Sequence, residues 1–326
     1  MPVVSVTPDS EALTLTLIAE FPASVDRLWR AFTDPRQLER FWGPPTWPST
    51  FTEFDLRPGG RAGYTMTGPE GERSAGLWEF VRIDEPKAIE VLDRFADAEG
   101  NPNLDMPSMR MTFTFDTTDD GSRLTSVTSF PDHDSLQRLV AMGMVEGSTA
   151  AMNQLDVVLQ DLRDWAAGRH TDVEILDDQR VRITRVINGP AELVWRAHHE
   201  PELMRQWMLG PDGWTMTACE LSTEPGSSFH YAWAPEPGID GAPFGFEGEV
   251  KLIEPGRRAV TTERMTGMPD GPETVNDLSL YEQDGLTLLT LVITYPDAAT
   301  RDMILGTGMV EGMEASYVRL ESLAPA

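Results

Sequence analysis

Leu13, Leu15, Leu17, Ala19 and Phe21 alternate with Thr14, Thr16 and Glu20, the period-two pattern of a strand with one buried face. The period then lengthens. Val25, Leu28, Trp29 and Phe32 fall at helical spacing behind Ser24, a residue suited to an N-cap. Asp34-Pro35 closes that helix and opens a second short one, with Asp34 as cap, Pro35 in its first turn, and Leu38, Phe41 and Trp42 on one side. After Trp42, turn signals punctuate the chain at Arg57-Pro58-Gly59-Gly60, Gly68-Pro69-Glu70-Gly71, Asp84-Glu85-Pro86 and Asp119-Asp120-Gly121. Turns this short predict an antiparallel meander of about six strands. From His133 to Trp165 the spacing is helical again, with Leu136, Leu139, Val140, Leu155, Val158, Leu159 and Leu162 on the apolar side. It is predicted to be the longest element.

The same order then recurs. Gly143-Met144-Val145-Glu146-Gly147 returns as Gly308-Met309-Val310-Glu311-Gly312, and chance rarely repeats five residues. Leu28-Trp29-Arg30-Ala31 answers Val194-Trp195-Arg196-Ala197, and Asp34-Pro35 answers Glu200-Pro201. Gly43-Pro44 matches Gly210-Pro211, Pro58-Gly59 matches Pro225-Gly226, and Phe130-Pro131-Asp132 matches Tyr295-Pro296-Asp297. Solenoid units run about 20 to 50 residues, so a period this long is a domain duplication. The stretch from Ala167 to Asp172 is polar and aperiodic, which predicts domains at 1–167 and 168–326.

Composition narrows the function classes. The chain has 326 residues, 40% of them hydrophobic, with 25 prolines and 27 glycines spread along it, as in a globular, loop-rich protein. No apolar stretch approaches the roughly 18 residues of a membrane span. Met1 to Ser10 lacks the basic flank and apolar run of a signal peptide, so a cytoplasmic protein is expected. The net charge of −27 repels phosphate backbones and anionic lipid surfaces, which argues against nucleic acid as partner. The single cysteine, Cys219, cannot form an intramolecular disulfide or build a Cys-rich zinc site. With Glu220 beside it, it is expected to be an inert packed thiol. Adjacent His198 and His199 point in different directions on a helix and are no zinc pair. No cofactor is expected, for no phosphate-binding loop, dinucleotide fingerprint or nucleophile elbow occurs.

A strand, two short helices, a run of strands and a long C-terminal helix is the order of the α+β helix-grip fold. The motifs Leu28-Trp29-Arg30-Ala31-Phe32-Thr33-Asp34-Pro35, Trp42-Gly43-Pro44 and Arg57-Pro58-Gly59-Gly60, with Val194-Trp195-Arg196-Ala197, Glu200-Pro201 and Gly210-Pro211, carry a resemblance. The chain resembles two copies of the START/Bet v 1-like (SRPBCC) domain named after the activator of the Hsp90 ATPase. The resemblance covers nearly all of the sequence and is specific for fold more than for function. It implies two domains, each a curved antiparallel sheet around a long C-terminal helix, packed as an intramolecular pseudo-dimer. It also implies a deep apolar cavity between sheet and helix, which relatives use for lipids, hormones or polyketides. Didomain relatives include polyketide aromatase/cyclases and START-like proteins of enediyne pathways. Hsp90 stimulation is not expected: the eukaryotic co-chaperone uses an additional N-terminal domain, where this chain carries a second helix-grip copy.

Residue types support a cavity independently. Met106, Met109, Met111, Met142, Met144, Met265, Met303, Met309 and Met313 lie on predicted late strands and long helices, and Met suits either an irregular apolar ligand or ordinary core filling. The aromatic candidates are Trp42, Trp47, Tyr64, Trp78, Phe95 and Phe113 in the first copy, and Trp207, Trp214, Tyr231, Trp233 and Phe246 in the second. Gly143, Gly147, Gly306, Gly308 and Gly312 sit inside predicted helices, where each costs about 1 kcal/mol relative to Ala. Their missing side chains make room for a ligand or for close helix packing. His230 and Tyr231 lie on a predicted strand and point to opposite faces. Either is a hydrogen-bond donor to a ligand carbonyl, forming an acid/base set with Arg264 or Glu249. Arg94 and Arg110 are the corresponding cations in the first copy. The leading expectation is binding of a hydrophobic, polyketide- or polyene-like molecule, as carrier or sequestering protein. A cyclase or aromatase working chiefly by orientation, and a sacrificial self-resistance protein, are the alternatives.

Overall fold

The computed structural model describes residues 2–97, 100–160, 162, 170–208, 210, 212–266 and 271–324. The chain divides into two compact units, Met1–Gln160 and Asp161–Ala326, here called domains 1 and 2. The boundary predicted at 167/168 lies outside the described residues, as does Trp165 at the predicted end of the long helix.

In domain 1, β1 (Val3–Asp9) and β2 (Thr14–Phe21) form a hairpin, followed by α1 (Val25–Thr33) and α2 (Pro35–Leu38). The meander β3 (Ser49–Phe54), β4 (Arg61–Thr67), β5 (Arg73–Asp84), β6 (Ala88–Ala96), β7 (Met109–Thr118) and β8 (Gly121–Ser129) completes an eight-stranded antiparallel sheet of order β1-β2-β8-β7-β6-β5-β4-β3. The helix starts follow from the sequence. Ser24 accepts a hydrogen bond from the Arg27 N–H at 3.2 Å, and Asp34 accepts one from the Arg36 N–H at 2.9 Å, with Pro35 at the first helical position. Arg27, itself buried, donates to Gln37 Oε1 and to the Val158 carbonyl, which fastens α1 to the C-terminal helices.

Domain 2 repeats this plan with β9 (Asp172–Ile175), β10 (Arg180–Ile187), α6 (Ala191–His199) and α7 (Pro201–Trp207). Its meander is β11 (Trp214–Glu220), β12 (Ser228–Pro235), β13 (Phe244–Glu254), β14 (Arg258–Met265), β15 (Thr274–Gln283) and β16 (Leu286–Thr294). The sheet order is β11-β12-β13-β14-β15-β16-β10-β9, strand for strand the plan of domain 1.

The long C-terminal helix predicted in each copy is instead broken. In domain 1 it runs as α3 (His133–Ala141), α4 (Met144–Asn153) and α5 (Leu155–Val158); in domain 2 as α8 (Ala298–Leu305) and α9 (Met309–Glu321). The breaks fall at Gly143 and Gly308, which adopt the left-handed conformation with φ of 90° and 81°. These two glycines therefore terminate helices rather than weaken their interiors, because a left-handed residue favours glycine. Gly147 and Gly312 do lie within helices, in α4 and α9. The domain 1 core forms where Ala151, Met152, Leu155, Val158 and Leu159 of the C-terminal helices meet Trp29, Phe32, Trp78, Phe113 and Leu124. No described helix is long and apolar enough to cross a membrane.

Candidate functional site

Between α3–α4 and the inner face of the sheet, domain 1 encloses a cavity of about 310 Å³. Its walls come from β2, β4, β5, β6, β7, β8 and the Gly43-Pro44 loop. Most of the lining is apolar: Leu15, Leu17, Phe95, Phe113 and six methionines, at 66, 109, 111, 142, 144 and 152. Trp42 and Tyr64 face each other edge-on, with ring centroids 6.2 Å apart at 86°. Gly143 and Gly147 lie on the helical wall, and a Cβ placed on either would meet nothing within 4 Å. Space is open there, as the sequence suggested, but the positive φ of Gly143 makes any side chain at that position strained.

Besides the hydroxyls of Ser74, Ser126, Thr128 and Ser148, the wall carries one titratable pair. The Tyr64 hydroxyl on β4 donates to Asp93 Oδ1 on β6 at 3.2 Å, and Asp93 is only 7% exposed. Burial pushes the Asp93 carboxyl up to about 7, against the opposing pull of the Tyr64 hydroxyl and the Trp78 indole N–H. The indole nitrogens of Trp78 and Trp42 are themselves buried and outside strict hydrogen-bond geometry. Burial and the neighbouring Asp93 raise the Tyr64 hydroxyl in turn. Gly76 on β5 makes the pair possible: a Cβ there would fall 2.2 Å from Tyr64 Cζ, so the ring lies directly across a residue that must be glycine.

Domain 2 carries the same arrangement. Tyr231 occupies the place of Tyr64, midway along β12, and its hydroxyl donates to Glu263 Oε2 on β14. Glu263 is the sixth residue of β14, as Asp93 is of β6. Burial raises the Glu263 carboxyl, opposed by Tyr231 and Asn276. The surroundings are repacked around the retained pair. Ala62, which faces Trp78 across β4–β5, gives way to Phe229, which lies over Gly248; and Gly76, opposite Tyr64, gives way to Phe246, opposite Tyr231.

The structure thus brings together Trp42, Tyr64, Phe95, Phe113, Met142 and Gly143 around one cavity, with Trp78 packed behind Trp42 at 4.6 Å between ring centroids. Met142 stands at the mouth, 60% exposed. Tyr231, Trp233 and Phe246 cluster in domain 2, with Tyr231 and Trp233 5.5 Å apart. Trp207 sits in the core, its indole donating to the Ala197 carbonyl at 2.8 Å and its ring beside His198 and Tyr317. Gly308 caps α9, and Met309 packs with Val181, Ile183 and Tyr295.

The expected cations do not join these clusters. Arg110 and Arg264 are half-exposed and paired with Glu90 and Glu247, and Arg94 pairs with Glu79 at 3.0 Å. Strand alternation turns them away from the inner face that Asp93 and Glu263 occupy. His230 likewise points opposite to Tyr231, and Glu249 pairs with Lys251 at 2.8 Å. Met265 and Met303 are 36% and 60% exposed, so neither fills a core. His198 and His199 each bond the carbonyl four residues earlier, and burial lowers the His198 imidazole to about 4. Cys219 is buried 3.7 Å from the Met204 sulfur, and burial raises its thiol, which makes it a poor nucleophile. Asp93 and Glu263 themselves escaped the sequence reading. Their signal was an acid in the inward phase of an alternating strand, directly before an outward arginine: Asp93-Arg94 and Glu263-Arg264.

Residues 22–160 and 188–324 each match the family described as Activator of Hsp90 ATPase homolog 1-like protein. Among solved structures, protein Ms6760 from Mycobacterium smegmatis is 48% identical, with 49% of this chain and 98% of that chain covered and a TM-score of 0.46. A protein from Arthrobacter aurescens is 43% identical, covering 48% of this chain and 91% of its own, with a TM-score of 0.47. DynU16, a protein of the dynemicin biosynthetic locus, aligns over 98% of this chain and 100% of its own at 13% identity and a TM-score of 0.34. No curated protein matches the chain. Both repeats match one family over most of their length, and the chain belongs to the Activator of Hsp90 ATPase homolog 1-like family as a tandem of two of its domains.

Proposed function

We propose that domain 1 binds a hydrophobic small molecule in the cavity between its sheet and α3–α4, and that the chain acts as a cytoplasmic carrier or sequestering protein for it. The observation that carries this reading is a largely apolar cavity of about 310 Å³ whose titratable lining, among the described residues, is the Tyr64–Asp93 pair. Small-molecule sites run from about 300 to 1,000 Å³ and combine apolar walls with a few placed polar groups. Six thioether side chains give walls that adapt to an irregular shape. The ring faces of Trp42, Tyr64, Phe95 and Phe113 favour a flat, conjugated body of the polyketide or polyene kind.

Asp93 favours a second reading. A carboxyl at about 7 beside a tyrosine hydroxyl is matched to proton transfer near neutral pH. In a cyclase or aromatase, the cavity would fold the chain while Asp93 takes up or returns a proton at the ligand and Tyr64 orients its oxygen.

Gly147 gives the test. It lies inside α4, lines the cavity, and has open space where its Cβ would be. Replacing it with Phe fills that space, and it recovers part of the helix penalty of glycine. Nile red, a neutral solvatochromic dye, is expected to saturate the native protein and the Gly147→Ala control, and to bind Gly147→Phe at least about tenfold more weakly. Equal binding to Gly147→Phe, or no saturable binding to the native protein, sinks the reading. Mass spectrometry of a recovered ligand separates carrier from enzyme, since only an enzyme releases it changed.

A further inference from the structure

We infer that the domain 1 cavity selects a lipophilic amine, with the cationic nitrogen held by the Asp93 carboxylate against the ring faces of Trp42, Tyr64 and Phe113. The inference rests on the ligand-binding reading above and adds the charge that the ligand carries.

The first ground is an uncompensated acid. Among the described residues lining the cavity there is no Lys, Arg or His, and Asp93 and Tyr64 are the only titratable side chains. The neighbouring arginines, Arg94 on the same strand and Arg110 on the paired strand β7, are engaged elsewhere, Arg94 with Glu79 at 3.0 Å and Arg110 with Glu90. A carboxylate 7% exposed in an apolar cavity is costly without a counter-ion. With the cavity empty of charge, the group meets this by holding a proton up to about pH 7. An ammonium entering the cavity supplies the missing partner and returns Asp93 to its ionised form.

Ring geometry is the second ground. Trp42 stands nearly perpendicular to both Tyr64 and Phe113, with centroids at 6.2 Å and 6.0 Å and interplanar angles of 86° and 81°. Aromatic faces turned on a desolvated cation attract it through the ring quadrupole, most strongly for tryptophan. The third ground is the field of the chain. A net charge of −27 raises the local concentration of cations and repels anions. An anionic ligand would meet Asp93 with no cation to hold it, whereas a neutral one would leave the carboxyl uncompensated.

Three probes with one naphthyl body separate these cases: naphthylethylamine, naphthylethanol and naphthylacetate, titrated calorimetrically into the full chain at about pH 8. The amine is expected to bind at least about tenfold more tightly than the alcohol, with the carboxylate weakest. In Asp93→Asn the amine should lose its advantage and bind no more tightly than the alcohol does to the same variant. A second arm needs no variant. From about pH 8 to about pH 6 the native protein should lose affinity for the amine, which stays protonated, as Asp93 takes up its proton; the alcohol should not change. Equal affinity for amine and alcohol, or an amine preference that survives in Asp93→Asn, overturns the inference. If Nile red binds and none of the three probes does, the amine assignment alone falls. Failure of Nile red as well removes the ligand-binding reading beneath it.

Discussion

Trp78→Ala is expected to destabilise domain 1 by about 3–5 kcal/mol, the range for removing a fully buried aromatic side chain. Trp78 is 1% exposed and touches Trp42, Phe51, Tyr64, Phe80 and Phe113, with ring centroids 4.6 to 6.3 Å away. Gly76, two residues earlier on β5, offers no side chain to close the void, because the Tyr64 ring lies across it. The loss should also loosen Tyr64 and Asp93, the groups Trp78 packs behind. Domain 2 has Phe229 over Gly248 in the equivalent place, so its own unfolding should be untouched. Urea unfolding followed by domain-specific probes checks this: one transition moves, the other stays, and the slopes do not change. A shift below about 1 kcal/mol would mean that this aromatic cluster is not the core of the cavity wall.

The second large effect is on pH. Asp93 has its carboxyl raised by burial from the ordinary 3.8 to about 7 in the folded protein. Between those values the unfolded chain has released a proton that the native chain keeps, so stability falls as pH rises. The favourable contribution is complete below about pH 4, and it is gone once the pH passes about 7. Three pKa units correspond to on the order of 4 kcal/mol at most. Asp93→Asn removes this dependence, so its stability relative to the native chain should grow from about pH 4 to about pH 7 and level off above. Glu263 is raised in the same direction in domain 2 and contributes with the same sign to both proteins, so it cancels in the difference. The capping carboxylates Asp132 and Asp297, held below their ordinary range by hydrogen bonds from Ser135 and Thr300, cancel likewise. Parallel stability curves for the two proteins over that range would show that Asp93 ionises normally.

A buried hydroxyl–carboxyl pair gives less stability than well-packed hydrophobic side chains of the same volume. Yet the pair occurs in both domains although Ala62, Gly76 and Trp78 of one have become Phe229, Phe246 and Gly248 of the other. The core around the pair was rebuilt and the pair was kept.

Much of the fold was legible because its signals are local. Ser24, Asp34 and Pro35 mark helix starts by chemistry that acts within three residues, and period-two alternation marks β2 without reference to the rest of the chain. The helix breaks were not legible. Gly143 and Gly308 sit in apolar helical spacing that continues on both sides, so nothing local in the pattern marks the positive φ that each takes. The candidate site was half legible for a related reason. Residue type marks Tyr64 and Tyr231 as candidates, but alternation alone leaves His230 and Tyr231 as alternatives and does not reach across to β6 and β14. Arg94 and Arg264 drew attention as charges, while Asp93 and Glu263, one residue earlier, are the groups that face inward. Which residues of different strands meet depends on register, and register is set by pairings such as Tyr64 with Gly76 and Phe95 with Gly76 across β4–β5–β6. Those pairings join residues far apart in sequence and leave no local trace.

Methionine-methyl NMR of the full chain during titration with Nile red tests the central claim most directly. Met66, Met109, Met111, Met142, Met144 and Met152 line the domain 1 cavity, and their methyl groups report on its interior. The account predicts that these signals move together along one saturation curve, and that the movement is lost in Gly147→Phe. Saturable binding that leaves these six signals unmoved would place the ligand elsewhere and contradict it.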